Sequence, residues 1–285
     1  MTDRLLLCTD MDRTVIPNGM QPEHPKARRR FRAFCHQDNV ALVYVTGRHR
    51  QLVDKAIRSY QLPQPDYVIT DVGTKIYQFG QGWQELQSWR DEIAQDWQGY
   101  SHQDLKLLLR DIRGLKLQEM SKQNTHKLSY YLPLYQDKTP VIQAMQQRME
   151  EKNIAATVMW SVDELTNIGL IDVLPKHATK LHSIQFLQQQ LGYQDHETVF
   201  AGDSGNDMPV LASPVQSVLV NNASAEIKSL AYQLANEQGC LDKLYIARDN
   251  GPLGMNGNYS AGVLQGVWHF SPAFRQSLQT ETFYD

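Results

Sequence analysis

Cysteine is scarce in this chain: Cys8, Cys35 and Cys240 are the only three among 285 residues. They are odd in number and far apart, which offers neither a disulfide framework nor a thiolate metal site. A dominant charge is missing as well. The formal net charge is −3, and Arg28-Arg29-Arg30, the one dense basic spot, reads as a solvated helix face. No electrostatic footprint for nucleic acid or an anionic membrane follows from that balance. No apolar run approaches the length of a membrane span, and the short run after Met1 gives way at once to Asp10 and Asp12, too soon for a signal peptide. A soluble, cytoplasmic protein is the expectation. Repeats and low-complexity segments are not seen either.

What is present fits an ordinary globular protein, with 41% hydrophobic and 21% charged residues, a balance that excludes a mostly disordered chain. The length exceeds what one compact core usually holds, so two domains are expected. Leu5 to Thr9, Val40 to Val45 and Tyr67 to Thr70 are short apolar runs that read as buried strands. Helical stretches lie between them, one after Pro25 and one over Gln51 to Tyr60. The same grammar returns late in the chain. Thr179 can cap a helix in which Leu181, Ile184, Leu187 and Leu191 recur at helical spacing, and Gly192 ends it. Strands at Thr198 to Ala201 and Ser217 to Val220 follow, with a helix between them. Continuous apolar strands alternating with helices predict a Rossmann-like parallel α/β core with helices on both faces.

The middle of the chain reads differently. Helical segments near Trp89 to Trp97 and Gln103 to Ile112 precede strand candidates at Leu115 to Met120 and Lys127 to Leu132. A helix over Thr139 to Lys152 and strands at Thr157 to Val162 and Ile168 to Leu174 complete the set, with Met145 and Met149 placed for core packing. The pattern predicts an inserted α+β domain, an antiparallel sheet with helices on one face. The boundaries expected are 1–80 and 174–285 for the core and 81–173 for the insert. Gly80 and Gly82 suit either a hinge or a hairpin turn.

Chemistry gathers at the expected strand ends. The first strand runs into Asp10-Met11-Asp12-Arg13-Thr14, and open parallel sheets bind ligands at the carboxyl ends of their strands. Two close carboxylates repel, and a divalent cation is the usual remedy. Asp12 as a simple turn cap is the alternative. A second acidic loop, Gly202-Asp203-Ser204-Gly205-Asn206-Asp207, also follows an apolar strand, where Asp203 or Ser204 could equally cap a helix. Thr46-Gly47-Arg48 follows the second strand and offers a hydroxyl and amides suited to phosphate oxygens, or merely a helix start. Lys180 alone would pass for a surface lysine.

In this order, Asp10-x-Asp12-x-Thr14, Thr46, Lys180 and Gly202-Asp203-x-x-Asn206-Asp207 resemble the four motifs of the haloacid dehalogenase superfamily of phosphatases. The insert's position resembles the branch with an α/β cap after the third core strand, subfamily IIB. Within it, the chain is most similar to the sucrose-phosphate phosphatase family. The similar segments are Asp71 to Tyr77, His126 to Tyr131, Ile171 to Pro175, and the tail around Ser260-Ala261-Gly262 and His269-Phe270. Two departures stand where a sugar would be recognised: Lys75 replaces an acidic residue, and Val162 to Gly169 is longer than the family's cap loop.

The resemblance implies a Mg2+-dependent phosphatase acting on a sugar phosphate, with sucrose 6-phosphate foremost. Mannosylfructose phosphate or kanosamine 6-phosphate is the alternative, and an inactive sugar-binding module of a synthase the remoter one. It implies Asp10 as nucleophile and Asp12 as the acid that protonates the sugar oxygen and then activates water. It places the metal on Asp10, the Asp12 carbonyl, Asp203 and Asp207, the last directly or through water. Thr46, Gly47, Arg48, Asn206 and Lys180 would hold the substrate's phosphoryl end, and Lys127 is the first choice for a sugar contact in a cap that excludes water. The partner implied beyond the substrate is the glycosyltransferase that makes it.

Overall fold

The computed structural model describes residues 3–80, 82–163 and 166–279. Gln81, between the two candidate hinge glycines, and Glu164 and Leu165, within the long 162–169 stretch, lie outside the described residues. The chain forms two compact units, Met1–Glu85 with Lys180–Asp285, and Leu86–Thr179. The three cysteines are free thiols. Among the described residues no helix is long and apolar enough to cross a membrane.

The first unit is built on strands β1 (Leu5–Thr9), β2 (Val40–Val45), β3 (Tyr67–Thr70), β4 (Lys75–Phe79) and β5 (Trp83–Glu85). In the second unit lie β6 (Lys116–Leu117), β7 (Leu128–Leu132), β8 (Ala156–Asp163) and β9 (Ile168–Pro175). The chain then returns to the first with β10 (Thr198–Gly202), β11 (Gln216–Leu219) and β12 (Leu244–Ile246). The first sheet has the order β12-β11-β10-β1-β2-β3-β4-β5. All five residues of β1 are buried, because β1 pairs in parallel with both β2 and β10. A strand covered on both faces has no polar side, which is why its sequence is continuously apolar.

Helices cover both faces of this sheet, as the alternation of strands and helices implies. Helix Ser260–Phe270 is buried from Ser260 through Val267 and packs on β10 and β11. Its closest approach is at Gly266, where an added Cβ would stand 1.8 Å from Val218 Cγ2. Only glycine lets the helix lie that close.

The sheet also carries two strands that the sequence reading lacked. β4 and β5 pair antiparallel at its edge, with Phe79 opposite Trp83, so Gly80 and Gly82 lie in the connection of a hairpin. The same pairing keeps Trp83–Glu85 in the first unit, and the second begins at Leu86 rather than at 81. At the other junction β9 stays in its own sheet through Pro175, opposite Ala156, and the division falls after Thr179 rather than 173.

The second unit is an antiparallel sheet in the order β6-β7-β9-β8. Leu128, Tyr130 and Leu132 alternate along β7, and Ile171 and Val173 along β9. They pack against Val141, Met145 and Met149 of helix Lys138–Glu150, so both methionines are core residues. The strand expected over Leu115 to Met120 shrinks to Lys116–Leu117, because the chain turns into a short 3-10 helix at Met120–Lys122 with Met120 exposed.

Candidate active site

The parallel register sets Thr9 beside Ala201 and Tyr44, so the carboxyl ends of β1, β10 and β2 lie together. Asp10, Asp203 and Thr46 leave from these three adjacent ends, and Asp10 N–H still bonds Ala201 O at 2.8 Å. Lys180, the first residue of helix Lys180–Leu191, enters the same site.

Lys180 is 4% exposed and its ammonium is fully used. It lies 2.7 Å from Asp10 Oδ1, 2.7 Å from Asp207 Oδ1 and 3.2 Å from Asn206 Oδ1. Asp10, Asp203 and Asp207 are all buried and offer carboxylate oxygens within 4.8 Å of one another. Burial pushes Asp10 up to about 7, with Lys180 opposing and Asp207 reinforcing. Burial and Asp207 likewise raise Asp203 to about 6 against the pull of Arg13, whose Nε lies 3.2 Å away. For Lys180 burial disfavours the charge, but Asp10 and Asp207 outweigh it and hold the ammonium protonated. Three carboxylates around one buried ammonium leave an excess of negative charge that another cation would relieve.

Asp12 sits at the rim and is held differently. Arg48 grips it with Nε at 2.6 Å and Nη2 at 2.5 Å, and Asn18 Nδ2 donates at 2.8 Å. Burial works against its ionisation, yet the Arg48 bonds outweigh it and the net shift is downward. Thr14 Oγ1 donates to Asp10 Oδ2 at 3.4 Å, and Thr46 Oγ1 accepts from Arg48 N–H at 3.1 Å. A cavity of about 380 Å³ opens here, lined by Asp10, Asp12, Thr46, Arg48, Asp203 and Asn206 among others, with Gly47 beside them.

The second acidic loop turns out to be a cap as well as part of the cluster. Ser204 caps the 3-10 turn Gly205–Asp207, and Asp207 Oδ2 accepts from the N–H groups of Asp203 and Ser204 at 3.0 and 3.2 Å. Its Oδ1 meets Lys180. Gly202 makes room for this carboxylate, since a Cβ there would lie 2.5 Å from Asp207 Cγ.

The remaining residues singled out by sequence have other surroundings. Lys127 belongs to the second unit, where its ammonium is 3.6 Å from Asp172 Oδ2 and its side chain is 11% exposed. Asp172 Oδ1 also accepts from Ser129 Oγ at 2.5 Å. Lys75 pairs with Glu85 across the β4–β5 hairpin at 3.1 Å. Arg13 and Asn18 are the site residues that sequence reasoning missed. Arg13 fills a variable place between two aspartates, and Asn18 lies in a Pro17-Asn18-Gly19 turn stretch whose composition says only loop.

A model of the family described as sucrose-6F-phosphate phosphohydrolase matches residues 3–271. A Nitrosococcus oceani protein described as a HAD-like hydrolase is 47% identical over 281 residues, 98% of this chain and 75% of that protein. Mannosylfructose-phosphate phosphatase of Agrobacterium fabrum is 30% identical over 233 residues, 80% of this chain and 87% of that enzyme. The chain spans 59% of the length of sucrose-phosphatase 1 of Nicotiana tabacum, with 27% identity. The solved structure of the sucrose-phosphatase from Synechocystis sp. PCC6803, in complex with sucrose and phosphate, superposes with a TM-score of 0.70. That match has 27% identity and covers 94% of this chain and 98% of the other.

Proposed function

Because this chain belongs to the sucrose-6F-phosphate phosphohydrolase family, and is on that ground a phosphoric monoester hydrolase of the haloacid dehalogenase type, we propose that it cleaves sucrose 6-phosphate to sucrose and phosphate. The observation that carries the phosphatase part of this reading is the buried set of Asp10, Asp203 and Asp207 around Lys180 at the strand ends, and the family match supports the choice of sugar.

Asp10 is the nucleophile of this reading. One of its oxygens attacks phosphorus in line, the bond from phosphorus to the sugar oxygen breaks, and an aspartyl phosphate forms. Asp12 gives its proton to the departing oxygen, then takes one from the water that hydrolyses the intermediate. Arg48 holds Asp12 ionised in this structure, and a phosphorylated substrate that competes for Arg48 frees Asp12 to carry a proton. Thr46, the Gly47 amide and Lys180 hold the phosphoryl oxygens as charge builds on them.

The donor set fits magnesium: three carboxylates within 4.8 Å of one another, hard oxygens without histidine or cysteine. Asp10, the Asp12 carbonyl and Asp203 would hold it, with Asp207 behind them. Bound there, it supplies neutralisation of the phosphoryl charge. Beyond the substrate, the partner in this reading is the glycosyltransferase that supplies it.

A second reading, a related disaccharide phosphate, rests on the likeness to mannosylfructose-phosphate phosphatase and on Lys75, which is already engaged by Glu85. The test is kcat/KM of the purified chain with magnesium for five esters: sucrose 6-phosphate, mannosylfructose phosphate, kanosamine 6-phosphate, glucose 6-phosphate and trehalose 6-phosphate. Sucrose 6-phosphate is expected to lead. A rival ahead by more than about tenfold, roughly 1.4 kcal/mol in transition-state binding, rejects it. Absence of phosphate release from any ester rejects the phosphatase.

A further inference from the structure

Tyr259 stands just before helix Ser260–Phe270, fully buried, at φ 51 and ψ −133. Residues with a side chain avoid that region, and one persists there only when its surroundings over-determine it. The surroundings do so here. Its N–H donates to Asn222 Oδ1 at 2.7 Å, and its phenol donates to Gln21 O at 3.0 Å. Asn256 and Asn258 each donate from Nδ2 to Pro22 O at 3.0 Å. A segment remote in sequence thus fastens the loop that follows Asp12.

The fastening continues to the carboxylate itself. Asn222, 1% exposed, donates from Nδ2 to Arg13 O at 2.6 Å. Arg13 has φ 59, a left-handed backbone, and its N–H donates to Asn18 Oδ1 at 2.9 Å. Asn18 Nδ2 then donates to Asp12 Oδ1 at 2.8 Å. At Asn222 the amide can point only one way, since a main-chain N–H must donate and a carbonyl must accept. A line of hydrogen bonds therefore runs from Tyr259 through Asn222, Arg13 and Asn18 to Asp12, with Arg13 N–H shared between Asn18 Oδ1 and Ile16 O, the latter at 3.0 Å.

We infer that Asn222 and Asn18 are positioning residues for Asp12, set by the strained Tyr259 backbone. This rests on the phosphatase reading above, in which Asp12 moves the proton. Asp12 lies past the end of β1, and its other holder, Arg48, is the group that substrate oxygens compete for. When Arg48 turns to the substrate, the Asn18 bond is what keeps the carboxyl aimed. An acid displaced by about 1 Å can lose up to about a hundredfold in rate.

Two variants separate positioning from mere folding. Asn222→Asp keeps the acceptor for Tyr259 N–H but sets a carboxylate oxygen against Arg13 O. Asn18→Ala removes an exposed side chain and leaves the core intact. For each, kcat and KM are measured on the preferred sugar phosphate, together with the single-turnover burst of nitrophenolate from 4-nitrophenyl phosphate and the melting temperature. Nitrophenolate leaves without a proton, so its burst does not need Asp12 as an acid. The expected result is a kcat loss of about tenfold or more on the sugar phosphate, KM within about threefold, and a burst rate within about threefold. Equal losses on both substrates, a change in KM alone, or unchanged kcat in a folded variant overturns the inference. Should Asn222→Asp not fold, Asn18→Ala decides. If the wild-type chain releases phosphate from no ester, the phosphatase reading falls and takes the inference with it; if it turns over while the variants lack the leaving-group dependence, the inference alone falls.

Discussion

Lys180 meets two buried carboxylates at 2.7 Å each, and removing one member of such a set costs more than the set contributes as a whole. Lys180→Met leaves Asp10 and Asp207 buried without their cation, and a loss of about 3–5 kcal/mol is expected in metal-free buffer. Asp10→Asn works the other way, because it takes a negative charge out of a crowded acidic cluster. Its melting temperature should hold or rise while phosphate release falls to background, since an amide cannot serve as the nucleophile. Chemical denaturation and turnover of the two variants check both halves; parallel shifts in stability would reject the charge argument. Chelation is expected to stop turnover, magnesium to restore it and calcium to fail, because calcium favours more ligands and longer bonds. Full activity after exhaustive metal removal would exclude the carboxylate cluster as a working metal site. Asp10, Asp203 and Asp207 were readable in the sequence because each follows an apolar strand at a fixed offset. Arg13 and Asn18 were not. Arg13 acts through an ion pair to a loop remote in sequence and Asn18 through a hydrogen bond inside an irregular loop, and no periodicity of side chains announces either.

Strands and turns decide where these side chains arrive. β1, β2 and β10 were plain in the sequence because strands buried on both faces must be apolar throughout. β4 and β5 were hidden at the sheet's edge, where half-buried Lys75 and exposed Gln84 break the pattern. The turn before β4 holds Asp71 at φ 52 and Val72 at φ 61, the latter an outlier for a β-branched residue. Val72 N–H bonds Thr46 O at 3.3 Å and Asp71 N–H bonds Arg48 O at 3.1 Å, so this strained turn fixes the Thr46–Arg48 loop. Gly202 does the same for Asp207 through space rather than bonds. Both Asp207 oxygens are already engaged, and a Cβ at 202 would stand 2.6 Å from Oδ2, leaving the carboxylate nowhere to give. Gly202→Ala is therefore expected to cost about 1–3 kcal/mol of stability, as overpacking does, and to cut kcat at least about tenfold through displaced Asp207. A variant with native melting and native kcat would show that the loop moves aside freely.

The chain as a whole consists of two units with separate hydrophobic cores. Residues 1–85 and 180–285 contain Asp10, Asp12, Thr46, Lys180, Asp203 and Asp207, so the residues proposed to carry phosphoryl transfer all lie within one unit. Under the proposed function, chemistry and selectivity are expected to be separable by substitution. The second unit offers Lys127, nearly buried and beside Asp172, which itself holds Ser129. Such a constrained ammonium is a poor candidate for a free surface charge and a good one for a donor to sugar hydroxyls, whose loss penalises one ligand selectively. Lys127→Ala is expected to leave kcat for 4-nitrophenyl phosphate within about threefold, because the reacting groups are untouched. It should lower kcat/KM for sucrose 6-phosphate by about tenfold or more, the value of one lost charged hydrogen bond. Steady-state kinetics on the two esters, with the melting temperature as control, separates the outcomes. An equal fall on both would mean that Lys127 serves the fold of its unit, and no fall on either would remove it from sugar selection, leaving Lys75 and the 162–169 stretch as the departures with which to explain preference.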